Sequence, residues 1–561
     1  YPVESIGLLK MDFLGLANWT IMKNAVRIIK KVYGVDIDVW NLPLDDKKTF
    51  QLLSSGQTTG VFQLESSGMQ RYIKELKPNK FEDIMVMVSL YRPGPMAFIP
   101  SYIERKKNPQ HVKYLDPRME PILKNSYGVI TYQDDVLEIA IKIAGYTWLE
   151  ADKLRGAMGK KIPIEMAAQK EKFTRGCIGH GMKKEAVQKL WEQIETFAAY
   201  GFNKAHAASY GNLAYKTAYM KANFPVDYMA SVLTADAGDI DKVALVVAEC
   251  ERMGLKILPP SVNASQGNFT VVDPVRDLTK KDVGALIGEK LGSNGAGNPN
   301  IRFGLYSIKN FGAGVADSIM KAVETGGPFA DVADFLRRVP DKNLNKKSLE
   351  SLIKCGALDE FEISSQDSAE KQKASAVRGA RGTLLANIDL LLSFHREHVN
   401  VSSDQSSLFS AIGGSASGGG VLAKASLSLK GRTPVSTEQC LAWEKELLGL
   451  YVSGHPLDAH KEKLSRQKSN IGETKEKFPN GVETVIAGFL ETVQSILTKN
   501  GERMLFARLS DYSGSVEIVV FPRILKENPT LFIPGTCVML KGKFSQRNGE
   551  SSFAVDKVRK L

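Results

Sequence analysis

Apolar residues recur at helical spacing over most of the chain up to Thr234, and alternate two by two in the tail from Thr484. The first run follows neither rule. SIGLLKMDFLGL, residues 5–16, is apolar enough for a buried strand, with its one acid, Asp12, lodged among Met11, Phe13 and Leu14. Ile21, Ala25, Ile28 and Val32 then repeat at helical spacing and stop at Gly34, so a strand feeds a helix. From Leu42 to Thr234 the pattern is mostly helical, broken at YRPGP, residues 91–95, where two prolines flank a glycine. Within this stretch, GFNKAHAASYGNLAYKTAYMK, residues 201–221, has Asn203 as an N-cap and His206, Tyr210, Ala214, Thr217 and Lys221 on one helical face. That face is polar and cationic, while Ala207, Ala208, Ala218 and Ala222 let the rest of the helix pack closely.

Residues 302–323 read as helix, glycine turn, helix, and a weaker copy follows at 344–361. Composition then shifts: 362–383 is polar and 402–431 is rich in Ser and Gly, both linker signals. Residues 441–464 read as a helix broken at Gly454 and Pro456. Hairpin signals at Asn500-Gly501, Ser513-Gly514 and Asn548-Gly549 separate the strand runs 485–497, 503–511, 515–521, 536–545 and 552–558. Five strands with a helix between the third and fourth predict a small OB-type barrel. The expected fold is therefore multidomain α+β, mostly helical, ending in a β-barrel.

A chain of 561 residues is too long for one core. Its net charge of +12 favours a polyanionic partner. The charge is focused: residues 151–225 carry 13 Lys/Arg against 6 Asp/Glu. Cys177, Cys250, Cys355, Cys440 and Cys537 lie far apart with no C-x-x-C, which speaks for a reducing, cytoplasmic setting and against a zinc ribbon. No apolar run has the length of a membrane span. The chain opens on Tyr1 without a cationic stretch before an apolar one, and so reads as a truncated chain and not as one opening with a signal peptide.

LRGAMGKK, residues 154–161, gathers Arg155, Lys160 and Lys161, with Gly156 and Gly159 permitting close backbone approach. A triphosphate needs such charge density, although a solvated basic face has the same look and no P-loop is present. Lys204, His206 and Lys221 supply a second set of donors and Tyr210 an aromatic face; by residues alone, core packing accounts for His206 and Tyr210 as well.

MDFLGL at 11–16, TGVFQLESSGM at 59–69, SLYRPGPM at 89–96, YQDDV at 132–136, AGYTWLEADKLRGAMGKK at 144–161, the 201–221 helix and LPPSVNAS at 258–265 resemble, in family order, the bacterial DNA polymerase III alpha subunits, the C-family replicative polymerases. The resemblance implies the end of a mixed palm at 1–20, fingers at 21–300, a helix-hairpin-helix region at 301–361, a linker with a clamp-binding peptide at 362–435, a helical connector at 436–483 and an OB-fold at 484–561. It implies attack of a primer 3′ hydroxyl on a dNTP with Mg2+ held by palm carboxylates. Asp12 looks like the third of three catalytic, metal-binding aspartates. The other two belong to a motif expected before residue 1, so the chain as it stands is not expected to polymerise.

By the same resemblance Arg155, Lys160, Lys161, Lys204 and His206 meet the nucleotide's phosphates, with Tyr210 and Lys221 in the same motif. The family commonly has two adjacent arginines where this chain has Arg155-Gly156, which leaves the triphosphate geometry open. Lys309, Gly312 and Gly314 resemble a hairpin loop that takes a DNA phosphate on backbone N–H groups, a plain αα-hairpin being the alternative. Gln405, Leu408 and Phe409 of QSSLF resemble the pentapeptide that enters the beta sliding clamp, against an accidental apolar pair in a linker. Arg503, Phe506, Arg508, Phe521 and Lys541 are candidates for single-stranded template on the barrel, which could equally serve protein contacts. Primer-template DNA, dNTP, the clamp and other polymerase III holoenzyme subunits are the expected partners, and a membrane is not. A non-catalytic primer-template or clamp-binding module, from a split or degenerate paralogue, is the alternative.

Overall fold

The computed structural model describes residues 6–9, 11, 15–160, 163–198, 202–272, 300–361, 373–399, 427–429, 435–465, 470–477, 481–498, 500–547 and 550–561. The chain divides into two compact units, one of residues 1–258 and 265–307, the other of 259–264 and 308–561.

In the first unit the helix Lys204–Asn223 is the central element, packed by Lys47–Ser55, Phe81–Leu90 and Pro225–Ala235. Small residues permit this: Ala207, Ala214 and Ala218 are fully buried, and a side chain at Gly211 would press on Met85 of the Phe81–Leu90 helix. Asn203 caps the helix, its side-chain oxygen accepting the His206 N–H at 3.0 Å. A second core lies among the helices Gln133–Lys142, Trp148–Lys160, Pro163–Gly179 and Lys184–Ala198, where Phe173 stacks obliquely on Trp191 beside Ile139, Leu190 and Phe197. A three-stranded sheet follows: β1 (Ile257–Leu258) runs parallel to β3 (Asn300–Arg302), which pairs antiparallel with β2 (Thr270–Val272).

The lower half of the Lys204–Asn223 polar stripe is consumed inside this unit. Lys221 is buried; its ammonium donates to the carbonyls of Gln57 and Thr59, each at 2.8 Å, and pairs with Glu249. Thr217 accepts the Phe62 N–H at 3.2 Å. Burial pulls the Lys221 pKa down and the Glu249 carboxylate opposes that pull.

In the second unit, helix Ala313–Gly326 follows a turn, and the helices Val332–Arg338 and Lys346–Lys354 come next, the latter capped by Asn345; both pack on Ile388–Val399. The barrel comprises β4 (Glu483–Leu497), β5 (Arg503–Asp511), β6 (Gly514–Val520), β7 (Cys537–Arg547) and β8 (Glu550–Lys560), closed in the order β4-β5-β6-β8-β7, with helix Pro522–Glu527 between β6 and β7. Inward alternation puts Leu505, Ala507 and Leu509 of β5 against Ile518, Val538, Leu540 and Phe553.

Four local expectations change. Ile6, Leu8, Leu9 and Met11 are exposed and not in a strand, since no described strand lies beside them to pair with. The first helix expected at 302–323 is the end of β3 and a 3-10 turn at Leu305–Ser307, because Gly304 lies against the Gly267–Asn268 backbone, too close for a side chain. The helix expected to break at Gly454 ends at Gly449, which takes the left-handed conformation that favours glycine. Within the 362–435 interval read as linker stand the helices Lys373–Ala386 and Ile388–Val399, burying Leu384, Leu391 and Phe394. The cysteines stand outside disulfides, and burial pushes Cys177, Cys250 and Cys355 up to about 12, so these three are not poised as thiolates near neutral pH.

Glu249→Ala should destabilise the first unit by about 3–5 kcal/mol, because it strands the Lys221 ammonium without its carboxylate. Lys221→Met with Glu249→Leu should lose less. Urea unfolding followed by tryptophan fluorescence measures this, since Trp19, Trp40, Trp148 and Trp191 belong to that unit; equal losses for both variants would contradict it.

Candidate nucleotide and DNA interface

Upstream of the buried Lys221 the same helix face reaches solvent, and there it builds a ladder of rings. His206 stacks on Tyr210 with centroids 4.1 Å apart and planes 28° apart. Tyr210 meets Phe62 at 5.2 Å, and the edge of His206 meets Phe202 at 4.9 Å. The guanidinium carbon of Arg92 lies 4.0 Å from the Phe202 ring centroid. His206, Lys204 and Arg92 are exposed, Tyr210 and Phe62 half-buried, Phe202 buried.

Two short-range devices fix the ladder. The Asn203 cap sets the helix start, and the Phe202 carbonyl accepts the Gln133 N–H at 2.9 Å. Lys204 is held from the same side: its backbone N–H donates to Asp134 at 3.0 Å and its ammonium stands 5.8 Å from the Tyr132 ring centroid.

Asp135 anchors that loop. One of its oxygens accepts the Thr131 N–H at 2.9 Å, the Thr131 hydroxyl at 3.0 Å and the Tyr132 N–H at 2.9 Å. Burial raises its pKa to about 6, and the three donors and the charge of Lys204 restrain that rise. A carboxyl whose folded pKa is raised binds its proton more tightly folded than unfolded. Its contribution to stability is therefore greatest below about pH 4 and is lost as pH rises through 6.

Arg155 lies on the Trp148–Lys160 helix, which packs against Gln133–Lys142. Its exposed guanidinium is turned to Asp152, with contacts of 2.9 and 2.5 Å. Lys160 ends that helix, with its side chain outside the described residues; Lys161 lies outside them altogether, as do Asp12, Gln405, Leu408 and Phe409. The structure thus brings His206 and Tyr210 together, sets Lys204 on Tyr132 at the same helix start, and sets Lys221 apart, buried in its own ion pair. Sequence reading missed Arg92, Phe202, Phe62 and Tyr132. The signal for Arg92 lies in SLYRPGPM, residues 89–96, a motif whose resemblance assigns no role to the arginine. Among the described residues no group of three His, Cys, Asp or Glu side chains could hold a metal, so these residues do not make a Mg2+ site. Among them, too, no helix is long and apolar enough to cross a membrane.

In the second unit Lys309, Gly312 and Gly314 are exposed at the start of Ala313–Gly326. Gly312 is the N-cap without a side-chain cap, so the first amides of this helix face outward bare of one. On the barrel Arg508 and Phe506 point outward from β5, Phe521 is half exposed, and Lys541 on β7 pairs with Glu483 at 3.1 Å.

Residues 18–181 match the family described as bacterial DNA polymerase III alpha subunit finger domain, residues 254–368 a helix-hairpin-helix motif, and residues 484–561 an OB-fold nucleic acid binding domain. The chain is 41% identical to the DNA polymerase III subunit alpha of Thermus aquaticus, over 93% of its own length and 39% of the relative's. It is 38% identical to that of Saccharopolyspora erythraea, covering 100% and 44%, and 37% identical to that of Aquifex aeolicus, covering 96% and 41%. The chain therefore spans about two fifths of the length of these curated relatives.

Asp135→Ala leaves two buried backbone N–H groups without an acceptor and should cost about 1–3 kcal/mol for each. Asp135→Asn keeps an acceptor, should cost less, and should abolish the part of the pH dependence centred near 6. Thermal unfolding of the three proteins between pH 4 and pH 8 reads both effects.

Proposed function

The chain belongs to the bacterial DNA polymerase III alpha-subunit family, and from that premise we propose that it supplies the nucleotide-holding and DNA-positioning parts of a replicative, template-directed DNA polymerase. One observation carries the reading. Lys204 and His206 stand two residues apart at the start of one helix and each rests on rings, Lys204 over Tyr132 and His206 on Tyr210 and Phe202, and among the described residues neither side chain is in an ion pair with a carboxylate. A cation resting on a ring keeps its charge, whereas one resting on a carboxylate is neutralised.

Lys204, His206 and Arg155 are proposed to share the oxygens of a dNTP triphosphate, with Lys160 and Lys161 added from the helix end. Tyr210 backs His206 and limits its rotation. Arg155 exchanges Asp152 for phosphate on binding, an exchange made cheap by the exposure of that pair. Lys221 takes no part, since its ammonium is spent on Glu249 and two carbonyls. Mg2+ belongs in this reading with Asp12 and further carboxylates, and supplies charge stabilisation to the transferred phosphoryl group when bound.

The hairpins and barrel are proposed to hold primer-template DNA. Bare helix-start amides beside Lys309 accept a phosphate without reading sequence. Arg508, Phe506, Phe521 and Arg503 offer charge and rings to single-stranded template. QSSLF is proposed to tether the protein to the sliding clamp through Leu408 and Phe409, with Gln405 at the rim.

Lys204→Ala should weaken equilibrium binding of dATP roughly tenfold or more, Arg155→Ala by less, and both should leave primer-template affinity within about twofold. Parallel losses of dATP and DNA binding would overturn the nucleotide assignment. Leu408→Ala with Phe409→Ala should abolish binding to immobilised beta sliding clamp while leaving dATP binding intact; unchanged capture would remove the tether.

A further inference from the structure

We propose that Arg92 is a further phosphate-binding residue of this site, presenting its guanidinium fork to the triphosphate of the nucleotide beside Lys204 and His206. The proposal rests on the nucleotide reading of those two residues and extends it to a segment 112 positions upstream of Lys204.

Arg92 is held at both levels. Its backbone N–H donates to the Leu90 carbonyl at 2.7 Å and its carbonyl accepts the Met96 N–H at 3.1 Å. Pro93 and Pro95 flank Gly94, whose φ of 91° is one that a side chain would strain, so the loop has little freedom. The side chain lies 4.0 Å above Phe202, the ring whose neighbour at 4.9 Å is His206. Arg92 and His206 thus share one ring as their shelf.

The chemistry of that shelf matters. A guanidinium on a ring face keeps all five N–H donors in its own plane, and the ring attracts the cation without cancelling its charge. Among the described residues no carboxylate meets Arg92, while Arg155, Arg252 and Arg381 each rest on an acid. A planar fork with unspent donors fits a phosphate's paired oxygens better than an ammonium does. Two sources offer that group, the nucleotide tail and the DNA backbone. The residue that Arg92 joins through Phe202, His206, is one of those assigned to the tail, and the tail is the source we assign.

Arg92→Ala, Arg92→Lys, Phe202→Leu and Lys204→Ala are to be compared with the unaltered chain for equilibrium binding of dATP, inorganic tripolyphosphate and a primer-template duplex. Arg92→Ala should weaken dATP and tripolyphosphate alike by about tenfold, with duplex affinity unchanged. Arg92→Lys should recover part of the loss, because charge remains and the fork does not, and Phe202→Leu should fall between. Arg92→Lys also supports the comparison should the alanine variant fold poorly. If Lys204→Ala weakens both anions and Arg92→Ala neither, the assignment of Arg92 fails alone. If no variant alters either anion, the nucleotide reading fails and takes this one with it. A loss confined to the duplex places Arg92 on DNA and overturns the proposal.

Discussion

The buried ammonium of Lys221 is the fixed point from which the candidate site is built. It ties the central helix to the carbonyls of Gln57 and Thr59 and to Glu249, which also takes a second cation from Arg252. The Glu249 carboxylate stays ionised: burial opposes that charge, and the hydrogen bonds from Arg252 and Lys221 outweigh the opposition. Because the helix and the 57–62 segment are locked together there, Phe62 can reach Tyr210 three turns upstream. His206 inherits its orientation from Tyr210. A residue that reads as a ligand contact thus earns its place by positioning others.

From that point the unit sorts its cations by what they rest on. Lys106 rests on Asp83 and Arg155 on Asp152, and Lys172 has both an acid, Glu150, and a ring, Tyr146. Arg92 and Lys204 rest on rings, as Arg71, Lys80 and Lys216 also do. The distinction is energetic as well as geometric, since a carboxylate partner must be displaced before a phosphate can bind and a ring need not be. Pre-positioning without neutralisation is what a site for a highly charged ligand requires. Asp134 and Asp135, the acids nearest Lys204, do not undo this, because Asp134 accepts its backbone N–H and Asp135 is held by Thr131 and Tyr132.

Local signals were legible in the sequence and distant ones were not. Asn203 could be read as a cap because donor and acceptor sit three residues apart, and Gly501 as a hairpin glycine because its φ is 75°. The helical periodicity of 42–234 and the alternation of the barrel strands were legible because each is a property of a single element. Lys221 was misleading because its partners at 57, 59 and 249 share no sequence neighbourhood with it. Arg92 and Phe202 meet only through the fold. The 373–399 helices hid in a polar stretch because burial of Arg381, which pairs with Asp359 and Glu444, stabilises them by contacts that no periodicity shows.

That triad shows the same economy in the second unit. Glu444 is buried, accepts from Arg381 at 3.0 Å and takes the N–H groups of Val452 and Ser453 at 2.9 Å each, so it pins the chain just after Gly449. The Lys309 N–H donates to the Leu447 carbonyl at 3.0 Å, which fastens the first hairpin turn to the helix that carries Glu444. Charges used for scaffolding are therefore paired inside, and the Lys309 ammonium and the helix-start amides near Gly312 remain at the surface. Backbone amides read charge and not base identity. A scaffold that internalises its side-chain charges and offers bare amides is suited to an anion taken without regard to sequence.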